Sequence, residues 1–185
     1  METFDIIIWC LAGLAVIGLI FLFVFNVFII PKRRTKDILG ELTKILEVKK
    51  IKYEIRVVKF KWYNFEIELE NDILLFKHFF MTPKQELFVE SKYRWQIEGG
   101  SNSYLYVKHV EPFLRGKYEN KTDKKVRRVA LLYPGCKNTM IYTKGIQTEF
   151  ITPKIDVFGC RIISFEELSE CFDWLIDDSN THVRH

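Results

Sequence analysis

The segment 86–94, ELFVESKYR, carries an acid and a base two residues apart, Glu90 and Lys92. Side chains i and i+2 of an extended strand share a face. The spacing therefore predicts a carboxylate and an ammonium pointing the same way, with Val89 and Ser91 on the other side. Upstream, ENDILLF places Asp72 at a break in the alternation, with enough chain before Glu90 for a strand, a turn and a return. Two antiparallel neighbours would then gather Asp72, Glu90 and Lys92. Two carboxylates in a low-dielectric cleft repel each other, and a hard cation held by oxygens, Mg²⁺ or Mn²⁺, relieves that repulsion. A lysine beside such a metal orients or helps to deprotonate a water and balances charge on a phosphate under in-line attack. The chemistry expected of the trio is hydrolysis of a phosphodiester.

Positioning these residues requires a sheet backed by helices. Thr35 or Asp37 caps a helix to about Lys49, with Ile38, Leu39, Leu42, Ile45 and Leu46 on one apolar stripe. From Tyr53 to Tyr93 the chain turns β-branched and aromatic, which predicts strands near 53–62, 64–79 (with a possible break at Asn71) and 86–94, the last preceded by a turn at Thr82–Gln85. A loop at Glu98–Ser103 leads to a helix expected over Tyr104–Lys117, in which Pro112 predicts a kink or a break. The hydrophilic stretch Lys117–Arg128 reads as a solvated loop. Short strands follow at Val129–Pro134, Thr139–Gly145 and CRIISF, and Ser164 starts a helix over Phe165–Ile176.

The N-terminal region differs from the rest. No charged residue occurs from Ile6 to Ile30, and a helix of that length is about 37 Å long, enough to cross a bilayer with some tilt. Its leader holds Glu2 and Asp5 rather than basic residues, unlike a cleaved signal peptide. All 28 Lys and Arg lie beyond residue 30, beginning with Lys32, Arg33, Arg34 and Lys36. By the positive-inside rule this places the N-terminus outside and the C-terminal domain in the cytoplasm of a single-pass membrane protein. The expected organisation is a short extracytoplasmic N-terminus (1–5), a transmembrane helix with the lipid bilayer as its partner (6–30), a basic linker (31–36), one α/β domain (37–178) and a flexible tail (179–185). Beyond residue 30 the 28 basic residues face 22 acidic ones, a formal charge of +6 that suits polyanions or anionic lipid.

The pattern Asp72 followed by Glu90-Ser91-Lys92, in an α-β-β-β-α-β order, resembles the PD-(D/E)xK nuclease superfamily, and ELFVESKYR with the later VALLYP is similar to nuclease-related (NERD) domains. The resemblance implies a restriction-endonuclease-like α/β core, a mixed sheet flanked by helices. It implies metal ligation by Asp72, Glu90 and the backbone carbonyl of Ser91, with Lys92 assisting the attacking water and Glu41 of the first helix as a further ligand. Two features depart from the family: Asn71 stands where the motif has proline, and the helix after the Glu-x-Lys strand offers Tyr104 and Lys108 in place of Gln-x-x-x-Tyr. Arg94, beside Tyr93 and Trp95, and Lys108 are the candidate nucleic-acid contacts.

The expected function is that of a membrane-anchored, metal-dependent nuclease acting on nucleic acid, DNA before RNA, in defence against foreign DNA. The alternative is a binding or scaffold module that retains the fold without turnover. Other chemistries lack a signal: there is no Gly-rich phosphate loop and no recognisable Ser-His-Asp or Cys-His pairing. Cys10, Cys136, Cys160 and Cys171 form no CxxC pair and read as small buried hydrophobes; His78, His109, His182 and His185 have no metal-ligand spacing.

Overall fold

The computed structural model describes residues 2–25, 30–58, 61–99, 105–119, 122–143 and 147–177. The chain divides into two compact units, 1–40 and 41–185. The first holds helix α1 (Glu2–Val24) and the start of helix α2 (Ile30–Val48). Trp9, Leu14, Ile17, Leu19 and Phe21 of α1 are exposed. The expected helix over 6–30 is not found as such: α1 starts earlier, at Glu2, and ends at Val24, and the next helix opens with the polar sequence around Lys32 and Arg33. No helix among the described residues is long and apolar enough to cross a membrane. This overturns the expected transmembrane helix, and with it the bilayer partner and the single-pass membrane localisation.

The second unit is α/β with two mixed sheets. Its strands are β1 (Glu54–Val57), β2 (Phe65–Glu68), β3 (Asp72–Met81), β4 (Glu86–Ser91), β5 (Arg94–Glu98), β6 (Leu105–Tyr106), β7 (Lys125–Pro134), β8 (Asn138–Thr143), β9 (Gln147–Phe150), β10 (Asp156–Val157) and β11 (Cys160–Ser164); its helices beyond α2 are α3 (Val110–Arg115) and α4 (Leu168–Ile176). Among the described residues one sheet has the order β1-β2-β3-β7-β11-β10 and the other β6-β5-β4-β8-β9. In the first, β3 is antiparallel to β2 and parallel to β7, and β7 is parallel to β11.

Central strand β3 is buried on both faces, as its unbroken run Ile73, Leu74, Leu75 and Phe76 requires. Alternation gives each face its own layer. Ile73, Leu75, Phe79 and Met81 join Leu87 and Val89 of β4 and Trp95 of β5 in one core cluster, so the second sheet packs on this face. Leu74 and Phe76 belong to the opposite face, as do Phe65 and Ile67 opposite them on β2. Buried Leu42, Ile45 and Leu46 of α2 and Phe172 and Leu175 of α4 supply the apolar cover that face needs. An ion pair of 2.6 Å from Lys49 to Asp173 ties the end of α2 to α4.

Several elements differ from the sequence reading. The strand expected over 86–94 is a hairpin, β4 and β5, turning at Lys92 and Tyr93. The strand expected over 64–79 is broken at Asn71, where the Leu69 amide bonds the Asp72 carbonyl at 2.8 Å. The helix expected over 104–117 is only α3, preceded by β6. Pro112 lies in the first turn of α3, where its missing N–H costs nothing. The stretch 117–128, expected as a loop, is strand from Lys125 onward, because β3 offers it a full ladder from Asp72↔Lys125 to Met81↔Pro134. Ser164 starts its helix as expected, exchanging hydrogen bonds with Glu167 in a capping box, through one 3₁₀ turn before α4. Cys160 and Cys171 are buried and Cys136 is half-buried, all as free thiols; burial pushes the Cys160 thiol well above its ordinary range. Ser101, Asn102, Tyr104, His182, His185 and the tail 179–185 lie outside the described residues.

Candidate functional site

Asp72 and Glu90 sit in different sheets. Asp72 opens β3, and its carboxylate takes a 2.6 Å bond from Arg127 Nε on β7. Arg127 in turn donates to the Ile176 carbonyl at the end of α4, at 3.0 Å. Both side chains are nearly covered, at 14% and 9% exposure. Asp72 thus belongs to the helix-covered face of β3, whereas β4 packs on the other face. The antiparallel pairing expected to bring Asp72 beside Glu90 is replaced by β2 and β7 on the two sides of β3.

Glu90 and Lys92 do not share a strand face either. Val89 pairs with Trp95 and Ser91 with Arg94, so Glu90 is the extra residue of a bulge, and Lys92 has left the strand for the turn. Glu90 bonds Arg94 Nε at 2.8 Å. Ser91 is exposed. Glu41 pairs with Lys44 on the surface of α2 at 3.4 Å. Lys108 is exposed in the turn before α3. Among the described residues no three His, Cys, Asp or Glu side chains form a group that could hold a metal. With Asp72 closed by Arg127 and Glu90 by Arg94, on opposite sides of a sheet, these residues do not fit a shared Mg²⁺ or Mn²⁺.

The structure instead gathers cations and aromatic rings at the β4–β5 turn. The Lys92 ammonium lies 5.6 Å and the Arg115 guanidinium 4.6 Å from the centre of the Tyr93 ring, and Arg94 lies 4.7 Å from that of Tyr106. Arg94 also donates to the Tyr106 hydroxyl. That bond, followed by the charge of Glu90, raises the Arg94 pKa further above the range in which an arginine could lose its charge. Lys92, Arg94, Arg115 and Tyr106 are exposed and Tyr93 is half-buried. Glu90 and Glu111 balance part of this charge, Glu111 by a 3.1 Å bond to Arg115.

Beside β2 lies an open cleft of about 650 Å³ that sequence reasoning missed, lined by Trp62, Tyr63, Glu66, Lys61, Lys117 and Tyr118 among others. Glu66 is 5% exposed and accepts from Tyr63 at 2.9 Å and from Arg56 at 3.0 Å. Burial, and then the bond to Glu66, pushes the Tyr63 phenol far above its ordinary range; burial with the nearby Glu66 charge raises Tyr118 as well. Glu68 accepts from Arg56 and, at 2.8 Å, from Lys124, whose bond holds the Glu68 carboxyl below the usual carboxylate range. Trp62 is fixed by Arg128, 5.3 Å from its ring, and by Gly116, whose carbonyl accepts from Arg128 at 2.8 Å. A Cβ on Gly116 would stand 2.2 Å from the indole. The available signal was the run KWYN, four polar or aromatic residues interrupting an otherwise regular alternation.

No family model, curated protein or solved structure matches this chain. Nothing in the described geometry is specific to the PD-(D/E)xK superfamily.

Proposed function

We propose that the chain binds nucleic acid without hydrolysing it. The observation that carries this reading is the exposed cluster at the β4–β5 turn, where Lys92, Arg94 and Arg115 surround the rings of Tyr93 and Tyr106. Cations meet the phosphates of a strand, and aromatic faces and guanidinium planes stack on its bases. Arg94, expected from the sequence as a nucleic-acid contact, is part of this cluster, and Lys108, the other expected contact, is exposed in the turn before α3. Asp72 and Glu90 become partners of arginines. The excess of basic residues over the whole chain adds a sequence-independent attraction.

The test is binding of labelled single-stranded DNA, duplex DNA and RNA to the full chain, followed by anisotropy over a range of salt, in EDTA and in Mg²⁺. Binding that persists in EDTA, weakens with salt and leaves the probe intact is the expected result. Cleavage that requires Mg²⁺ and is lost in Lys92→Ala would replace this reading with the hydrolytic one. Absence of binding at low salt to all three probes would remove both.

A further inference from the structure

The cleft beside β2 combines features that a polymer-binding surface does not need. It is concave, of the size that encloses a small ligand, and its walls are the aromatic side chains of Trp62, Tyr63 and Tyr118. Its floor is a buried carboxylate. A carboxylate has about four acceptor positions, and Glu66 uses two, for Tyr63 and Arg56. The rest are left for a donor from a ligand. The charge of Glu68 is met by Arg56 and Lys124, so Lys61 and Lys117 are the rim cations whose charge is open to an incoming anion, opposed by Glu119. Lys61 is exposed, lies 5.5 Å from the Tyr63 ring and donates one of its three N–H to the Tyr63 hydroxyl at 3.3 Å; Lys117 is exposed and makes no ion pair among the described residues.

We propose that this cleft takes a single nucleotide, its base against Trp62 and Tyr118 with an edge N–H on Glu66, and its phosphate on Lys61 and Lys117. Aromatic walls accept any base face, the fixed acceptor selects a base edge bearing a donor, and the two ammonium groups form charge-assisted bonds to phosphate oxygens. The wall is held in place before the ligand arrives, because Gly116 and Arg128 fix Trp62. The nucleotide has two sources, a free nucleoside monophosphate or one unit of a bound strand. For the second source the inference rests on the binding function proposed above; for the first it does not.

The experiment is calorimetric titration of the full chain with GMP, AMP, guanosine and inorganic phosphate, repeated on the double variant Lys61→Ala/Lys117→Ala. Both lysines are exposed, so the fold should be unchanged, and circular dichroism checks it. Saturable binding of a monophosphate that weakens about ten-fold or more in the variant is expected, with guanosine weaker and indifferent to the change. A labelled short oligonucleotide separates the sources. If free monophosphates bind neither protein but the oligonucleotide loses affinity in the double variant, the cleft holds a nucleotide of a strand. If monophosphates bind and no oligonucleotide does, the cleft serves free nucleotides and the strand-binding function alone fails. The inference is overturned if no monophosphate gives saturable heat at millimolar concentration and the oligonucleotide binds both proteins equally. It is overturned equally if monophosphate binding is the same in both proteins.

Discussion

Two arginine–carboxylate pairs occupy the positions from which a metal site would have been built, and they behave as opposites. Asp72–Arg127 is nearly covered, spans β3 and β7, and is continued to the Ile176 carbonyl at the end of α4. Glu90–Arg94 lies within one hairpin, with side chains 25% and 61% exposed. The first pair joins three elements distant in sequence; the second holds a surface guanidinium over Tyr106. The same two residue types thus act as a structural clamp in one place and as part of a recognition surface in the other, and the difference comes from what covers them.

Removing the acid of each pair should separate them most sharply. Asp72→Ala removes the acid of a nearly covered, hydrogen-bonded pair and is expected to cost about 3 kcal/mol, measured by urea unfolding. Glu90→Ala should cost about 0–1 kcal/mol in the same measurement. If the two losses are equal, the contrast is wrong.

Ligand binding should invert the order. Glu90→Ala frees Arg94 and removes a negative charge, so oligonucleotide affinity should rise, while a mildly destabilised Asp72→Asn that remains folded should bind as the parent does. Arg94→Ala should reduce the slope of log K against log salt by about 0.7 for a single strand, and unchanged slope would show that Arg94 touches no phosphate. Tyr106→Ala should weaken binding by about 1–3 kcal/mol if a base stacks there.

The smallest effect concerns a pair between these extremes. Lys124 holds the Glu68 carboxyl below its ordinary value of 4.5. A lowered folded-state pKa means that the stabilisation is present above that ordinary value and is lost as pH falls through the lower, folded one. Stability should therefore decline below about pH 4.5, and Lys124→Met should make that part of the decline shallower. Thermal melts across the acid range of both proteins would show it.

What the sequence revealed followed physical periodicity. Of the expected stripe Ile38, Leu42, Ile45 and Leu46 are buried and Leu39 at its margin is half-buried, the chain breaks at Asn71, and Ser164 opens its helix through a bond network with Glu167 that its residue types announce. The turn at Lys92–Tyr93 was hidden because neither residue is a turn former: no Gly, Pro, Asn or Asp interrupts ELFVESKYRWQIE, and the run reads as one strand. That single missed turn put Lys92 on the same face as Glu90. The two-sheet arrangement was hidden for another reason. A strand apolar on both faces, as β3 is, states that it is covered twice but not by what, so β4 could be taken for its neighbour when it lies in the layer above. The cleft lay beyond periodic reasoning, since Trp62, Tyr63, Tyr118 and Gly116 come together only after α3 is placed.

The long parallel ladder of β3 with β7 carries a kinetic consequence. Its register joins Asp72 to Lys125 and Met81 to Pro134, so this central, largely apolar strand meets β7 only after β4, β5, β6 and α3 have been laid down. Pairings so distant in sequence form late, since chain closure must precede any contact that rewards it. Until then β3, paired on one side with its sequence neighbour β2, leaves its other edge open and its apolar side chains uncovered, the condition that favours aggregation during folding. Refolding yield should accordingly fall with protein concentration more steeply than stability alone would predict, with β3 as the segment at risk.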